Sequence, residues 1–299
     1  MTRAPLPVRD GVGPSCVALP EGGWTTIAEF LAQRFPAIPR ATWAARIAAG
    51  EVVDEHGAAV TPGRPYQPRL RIFYYRALPA EPVIPFEAQV LFCDDDLLVV
   101  DKPHFLPVAP VGKYVQQSLL VRLKRTLGLD ELAPLHLIDR ETAGLVLFSV
   151  RPASRAPYSA LFAGRAIVKH YEAIVHWTGA QPLPAVHRSR LVPDAHFMRM
   201  AEAEGEANSE TRLALQEVRG SWARLALSPV TGRRHQLRVH CAALGLPIVN
   251  DAIYPVLRPE GSDEFERPLL LLARALAFTD PISGAQRSFT SRRALAWPA

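Results

Sequence analysis

The sequence predicts an α+β fold: a mixed, largely antiparallel central sheet flanked by helices, preceded by a small α-rich module. Three observations carry this expectation. Segments of helical and of strand periodicity interleave along the chain, which leaves a doubly wound parallel sheet or a mixed, largely antiparallel one. Several strand-like segments are joined by short turns, as where VLFC and LLVVDKP flank three aspartates, and short turns link antiparallel rather than parallel strands. No repeat of 20 to 50 residues is visible, which removes solenoids and propellers.

In chain order, residues 1–22 carry Pro and Gly without periodicity and are expected to form a loosely held arm. In TTIAEFLAQRFP, the residues Ile27, Phe30, Leu31 and Phe35 recur at helical spacing, with Thr25 or Thr26 as the cap and Pro36 as the stop. PRATWAARIAAGEVV repeats the device, with Trp43 and Ile47 on one face and Gly50 at the end. Val52, Val53 and later RLRIFYYR read as strands and complete a module over 23–76. ALPAEPVIPF, residues 77–86, is a Pro-rich connector to a main domain over 87–299. There, SLLVRLKRTLGLD predicts an amphipathic helix ending near Gly128, and RAPYSALFAG predicts another. IVKHYEAIVHW predicts a strand with Lys169, Tyr171, Ala173 and Val175 on one face. Residues 181–210 read as polar and irregular, and TRLALQEV and WARLALSPV as two more strands.

With 48% apolar residues among 299, the chain affords a sizeable core. A net charge of +5 suits a polyanionic partner without demanding one. The three cysteines lie far apart and form no CxxC pair, which argues against a disulfide framework or structural zinc and for a reducing compartment. No apolar run reaches the length of a membrane span and the N-terminus lacks a signal-like core, so a soluble, cytoplasmic protein is expected. Without a heptad seam, monomer is the default.

Two stretches are dense in chemistry. PLHLIDRETAGLVLFSV, residues 134–150, sets Asp139 ahead of a Thr142-Ala143-Gly144 turn and an apolar run from Leu145 to Val150 that reads as a buried strand. A carboxylate where a loop enters a core strand has the rigid base an attacking or proton-transferring group needs. It also suits a turn cap paired with Arg140. The second stretch, PVTGRRHQLRVHCAALGLPIVNDAIY at 229–254, predicts a helix from about Arg234 to Leu244. Arg234 and Arg238 would share a face beside His235, while Leu237, Cys241 and Leu244 point to a core. Arg233, Arg234 and His235 at a helix N-terminus favour a phosphate; the alternative is a solvated basic face. The spacing of His235, His240 and Cys241 does not fit a metal pair, so no metal is expected.

Taken together, LLVVDKP, HLIDRETAGLVLF, KHYEAIV and TGRRHQLRVHCAALGLPIVNDAIY, with a weaker LLLLARALAFTDPISG, resemble the RluA-type RNA pseudouridine synthases over about 87–299. FLAQRFP, RIAAGEVV and PGRPYQPRLRI resemble an alpha-L RNA-binding domain, with Arg40 and Arg46 as the basic residues of its second helix. The resemblance implies that Asp139 is the essential carboxylate, Tyr171 the active-site tyrosine and Arg238 the partner of Asp139. It implies a structured RNA substrate, ribosomal or transfer, whose target uridine is flipped out. Arg233, Arg234 and His235 would hold phosphates, with Lys102 and Arg140 also on the RNA side. The uracil is both leaving group and acceptor, so no metal or redox cofactor is implied.

The sequence departs from that pattern at Leu137, where many members carry an Arg that fills the gap left by the flipped base. An apolar wedge can occupy a vacated stack but cannot read a base edge. Leu272 stands where a His is common, and Asn250 where a Gly is common. Two rivals stay open: a non-catalytic RNA-binding or ribosome-assembly factor, and an N-glycosidic hydrolase. The latter needs a second carboxylate to activate water, for which Asp251 is the candidate unless it caps the segment after Pro247.

Overall fold

The structure is a computed structural model and describes residues 5–76, 81–259 and 265–298. The first four residues of the expected connector, 77–80, lie outside the described residues. The elements in order are β1 (Ser15–Ala18), α1 (Ile27–Arg34), α2 (Arg40–Ala48), β2 (Val52–Asp54), β3 (Arg71–Tyr74), β4 (Gln89–Cys93) and β5 (Leu97–Lys102). Then come α3 (Leu119–Leu127), β6 (Ala133–Pro134), β7 (Ala143–Ser149), α4 (Pro152–Ala163), β8 (Val168–His176), β9 (Val186–Pro193) and β10 (Met200–Ala203). The chain closes with β11 (Ser209–Arg219), β12 (Trp222–Pro229), α5 (Gln236–Ala243), β13 (Leu271–Thr279) and β14 (Gln286–Thr290).

Two compact units result: residues 1–82 with 112–116 and 121–130, and residues 83–111 with 117–120 and 131–299. The first contains the expected helix pair. Thr26 caps α1, its hydroxyl accepting the Glu29 N–H (3.1 Å) while the Glu29 carboxylate accepts the Thr25 N–H (2.9 Å). Gly50 follows α2 at φ +70°, the left-handed conformation that favours glycine after a helix end. Phe30, Leu31, Trp43, Ile47 and Ile72 are buried together. The arm expected over 1–22 is in part a strand: β1 pairs antiparallel with β3, giving a β1-β3-β2 sheet. Leu19 follows β1 into the core, which is why this segment is held. Val115 and Val121, assigned by the sequence to the main domain, instead pack on Val12.

The second unit is built on an eleven-stranded sheet of order β10-β9-β11-β12-β8-β13-β7-β5-β4, with β14 beside β13 and β6 beside β7. Every pairing is antiparallel except β13 with β7, so the mixed, largely antiparallel sheet is observed. β5 and β7 are buried along their whole length, which explains the uninterrupted apolar runs from Leu97 to Val100 and from Leu145 to Phe148. Residues 181–210 are not irregular: β9 and β10 form a hairpin there, and β9 also pairs with β11. Their mostly exposed or half-buried polar side chains carried no apolar alternation to reveal them.

The parallel pair positions the site. Ala273 on β13 lies opposite Gly144 on β7 and Tyr171 on β8, aligning the segment after Asp139 with Tyr171. A Cβ on Gly144 would come within 2.3 Å of the Ala273 carbonyl oxygen, and its φ is +110°. Only glycine permits this approach. Asn250 sits at φ +64°, which accounts for the frequent glycine there, and it donates to the Pro268 carbonyl (3.0 Å).

Candidate active site

A cavity of about 850 Å³ opens in the second unit, and Asp139, Tyr171, Arg238 and Leu137 all line it. That volume suits a bound small group such as a nucleotide. Asp139 is carried by the loop from β6 to β7, where its carbonyl accepts the Thr142 N–H (3.2 Å). Its side chain is 24% exposed and is not paired with Arg140, whose guanidinium instead meets Glu141 (2.8 Å). The partner is Arg238: its Nη1 donates to Asp139 Oδ2 (3.1 Å). Burial alone would raise the Asp139 carboxyl, but Arg238, His235 and Lys102 outweigh it and hold the group below its usual range. The carboxylate is therefore ionised at neutral pH.

Arg238 lies in the first turn of α5, with its side chain 1% exposed. Its remaining nitrogens are clamped by Asp251, Nε to Oδ2 at 2.8 Å and Nη2 to Oδ1 at 2.6 Å. Asp251 Oδ1 also accepts the Ile253 and Tyr254 N–H groups. Asp251 thus caps its own segment and fixes Arg238, and it is too enclosed to activate a water. The bidentate fork leaves one guanidinium nitrogen aimed at Asp139.

The helix begins at Gln236, two residues later than the spacing predicted, so Arg234 and Arg238 do not share a face. His235 is the cap, at φ +54°. Tyr254 takes the Met200 N–H on its hydroxyl (2.7 Å), leaving its own proton for His235 Nδ1 (3.0 Å). This geometry assigns the proton of His235 to Nε2, which lies 3.7 Å from Asp139 Oδ1. Burial pushes the imidazole pKa down, against the pull of Asp139, so the ring is neutral. His235 is accordingly a neighbour of the carboxylate rather than a phosphate contact.

Tyr171 projects from β8 with Lys169 on the same face, as alternation predicted, and Ala173 and Val175 continue into the core. Burial and then the Asp139 charge push its hydroxyl up, so it keeps its proton at neutral pH. Among the described residues the hydroxyl has no hydrogen-bond partner, which leaves it for a ligand. Leu137 is 67% exposed at the cavity wall. Arg233 donates to the Asn208 carbonyl (3.1 Å), and Arg234 to the carbonyls of Phe197 (3.0 Å) and Met198 (2.9 Å); both side chains remain exposed.

Two further residues expected on the RNA side are elsewhere. Lys102 is fully buried at the end of β5, donating to the carbonyls of Pro103, Leu106 and Arg140 at 2.7–3.0 Å. Burial pushes its ammonium down to about 7, against Glu141 and Asp139. It braces the two loops that flank the cavity and cannot reach a phosphate. Arg46 is buried, its guanidinium 5.2 Å from the Trp43 ring centroid, because the apolar core of the small unit covers its stem. Arg40 remains exposed at the start of α2.

Arg165 and Lys169 also line the cavity and were missed. Lys169 was legible in principle, two residues from Tyr171 on one strand face; Arg165, in a turn after α4, left no signal. His240 is not a ligand candidate beside His235. It is buried, with Nε2 against the Ser189 and Ser209 hydroxyls and Nδ1 against Thr211. His187, Glu202 and His240 do come within 4.8 Å of one another, but this group is closed by hydrogen bonds, His187 to Glu202 at 2.7 Å among them.

Asp139 is thus the one carboxylate lining the cavity among the described residues, against Arg165, Lys169, Arg233, Arg234 and Arg238. Fold and site define an enzyme that places one ionised carboxylate in a cationic pocket suited to a polyanionic substrate. The family model described as RNA pseudouridylate synthase matches residues 96–243. An RNA pseudouridine synthase of a Synechocystis species is 30% identical over 233 residues, spanning 76% of this chain and 78% of its own. The dual-specificity RNA pseudouridine synthase RluA of Haemophilus influenzae is 32% identical over 226 residues, spanning 72% and 95%. Among solved structures, the human RNA pseudouridylate synthase domain containing 4 matches 69% of this chain and 88% of its own, at 25% identity and a TM-score of 0.54. The chain belongs to the RluA-type RNA pseudouridine synthases. It is an isomerase that acts on RNA.

Proposed function

We propose that the protein isomerises specific uridines to pseudouridine in ribosomal or transfer RNA, with Asp139, Tyr171 and Arg238 as the catalytic set. The observation that carries this reading is the lone ionised carboxylate held by Arg238 in a cavity with five positive charges. Asp139 attacks the ribose anomeric carbon, or removes a ribose proton to give a glycal; either step needs the carboxylate charged. Uracil is released, turned over and rejoined to the same ribose through carbon, so atoms balance without a co-reactant. Tyr171 offers a flat face for the base and a protonated hydroxyl. Arg165, Lys169 and Arg233 meet phosphates of the flanking strand, and Leu137 occupies the stack the base has left.

The hydrolase reading is disfavoured by Asp251, which is 1% exposed and spent on Arg238. We also propose that the enzyme is a cytoplasmic monomer working without a metal. The free cysteines fit a reducing compartment, and among the described residues no helix is long and apolar enough to cross a membrane. The small unit is proposed as an auxiliary RNA-binding domain that meets phosphate through Arg40. Residues 112–116 and 121–130 belong to that unit, so charge reversal at Arg40 tests it more cleanly than deletion of the N-terminus. Arg40→Glu should weaken binding to long structured RNA; unchanged affinity at low salt removes this role.

The function is tested by incubating the protein with ribosomal and transfer RNA transcripts and mapping carbodiimide adducts by primer extension. New stops at defined uridines are expected. Free uracil in place of retained isomer would move the protein to the hydrolases.

A further inference from the structure

The turn between β9 and β10 exposes a phenylalanine that the catalytic reading does not use. Phe197 is 76% exposed, higher than any other large apolar side chain among the described residues. A lone exposed apolar side chain is ordinary on a protein surface; this one is set apart by a partner ring and by the contacts that hold it. His196 stacks on it, with ring centroids 5.1 Å apart and planes inclined by 26°. The pair therefore presents an aromatic platform rather than a single ring.

The platform is held from three sides. Within the turn, Asp194 accepts the His196 N–H (3.1 Å) and Arg199 donates its N–H to the His196 carbonyl (2.8 Å). The Met198 N–H donates to His196 Nδ1 (3.3 Å), which fixes the orientation of the ring. Beyond the turn, Arg199 donates to the Pro255 carbonyl (3.1 Å) and lies over the Tyr254 ring. Arg234 grips the carbonyls of Phe197 and Met198. Arg234 also lines the cavity, so the platform stands one arginine side chain from the pocket that holds Asp139.

We propose that His196 and Phe197 form a base-stacking subsite for an unpaired nucleotide next to the target uridine. This rests on the proposed RNA substrate and deepens it. Flipping the target disrupts the neighbouring stack, and a neighbouring base needs a new surface. Aromatic stacking accepts any base, because every base has a π-face. The subsite thus selects for local single-strandedness rather than for sequence, complementing Leu137, which has no group to read a base edge. Arg233, next in the chain to Arg234, is exposed and lines the same cavity, so a phosphate entering there meets a cation.

The test uses a uridine first mapped in transcribed ribosomal or transfer RNA, then a short stem-loop bearing 2-aminopurine at each position flanking it. With the wild-type protein, fluorescence at one flanking position should be quenched on binding. Phe197→Ala should abolish that quench and raise KM by about 5- to 150-fold, the range set by loss of one aromatic stack, with kcat at saturating RNA within about threefold. Phe197→Trp should restore both quench and KM. An exposed side chain can be replaced without unfolding, and a thermal melt of each variant confirms it. If wild type modifies the stem-loop while Phe197→Ala matches it in KM and quench, the subsite is overturned and the proposed function stands. If wild type modifies no uridine in either RNA class, both fall. If Phe197→Ala lowers kcat but not KM, the turn acts through Arg234 on the pocket and the stacking role is wrong.

Discussion

Arg238 is held by Asp251 through two hydrogen bonds of 2.8 and 2.6 Å, which leaves only Nη1 to reach Asp139. The pair is buried on both sides, so each charge depends on the other. Asp251→Ala would strand a buried guanidinium and should cost about 3–5 kcal/mol of stability, as broken buried pairs do. Asp251→Asn keeps the shape and part of the hydrogen bonding. It should lower turnover at least about tenfold with smaller loss of stability, because Arg238 then turns toward Asp139 without a fixed orientation. Denaturant unfolding and single-turnover kinetics measure the two effects separately.

The pH dependence follows from the same cluster. The folded-state pKa of Asp139 lies below its ordinary value, and that of His235 is lowered as well. The ionisation of Asp139 should therefore set an acid limb at or below the usual carboxylate range near pH 4. Removing the positive neighbour reverses the shift: in Arg238→Gln the Asp139 carboxyl rises, so its acid limb moves to higher pH. For stability the sign is the same. A lowered carboxyl stabilises the fold above its ordinary pKa, and that contribution is lost as pH falls through the folded value. An acid limb centred on the ordinary histidine value would assign the ionisation to the wrong residue.

Gly144 is a structural counterpart to Asp139, five residues away. Gly144→Ala forces a Cβ against the Ala273 backbone at 2.3–2.8 Å and keeps a left-handed φ. A loss of at least about 2–4 kcal/mol is expected from the strain and overpacking combined. Thermal unfolding reads the stability, and Tyr171 should shift with the strands, so residual activity should fall as well.

Leu137 bears on substrate choice. Leu137→Ala removes the apolar wedge and should reduce kcat/KM by about 10-fold or more, since burial of a leucine side chain is worth about 1.5–3 kcal/mol. The loss should be greatest on stable stems, where extrusion of the base costs most. Leu137→Arg should widen the set of uridines modified, because a guanidinium can contact phosphates and base edges. Mapping modified positions across whole ribosomal RNA scores both variants.

Much of this architecture was legible from pattern. The apolar run from Leu145 predicted the buried strand β7, the short apolar segments around the aspartates predicted the β4–β5 hairpin, and the alternation of β8 put Tyr171 and Ala173 on one face. What was hidden depends on long-range contacts. Arg238 could be named as the partner of Asp139, but nothing local showed that Asp251 takes the other two nitrogens. Lys102 looks like any cation beside a proline, and only the converging carbonyls of Pro103, Leu106 and Arg140 make it a brace. The β9–β10 hairpin escaped because most of its side chains face solvent, so its pairing is set by its neighbours.

The central claim is that the Asp139 carboxylate does the chemistry. The direct measurement is pseudouridine formation at a mapped uridine under single-turnover conditions by wild type and by Asp139→Asn, with RNA affinity measured in parallel. The account predicts no detectable product from Asp139→Asn and a Kd within about threefold of wild type, since the change removes the reacting charge and leaves the cationic wall intact. Product formed by Asp139→Asn at a rate near that of wild type would contradict it.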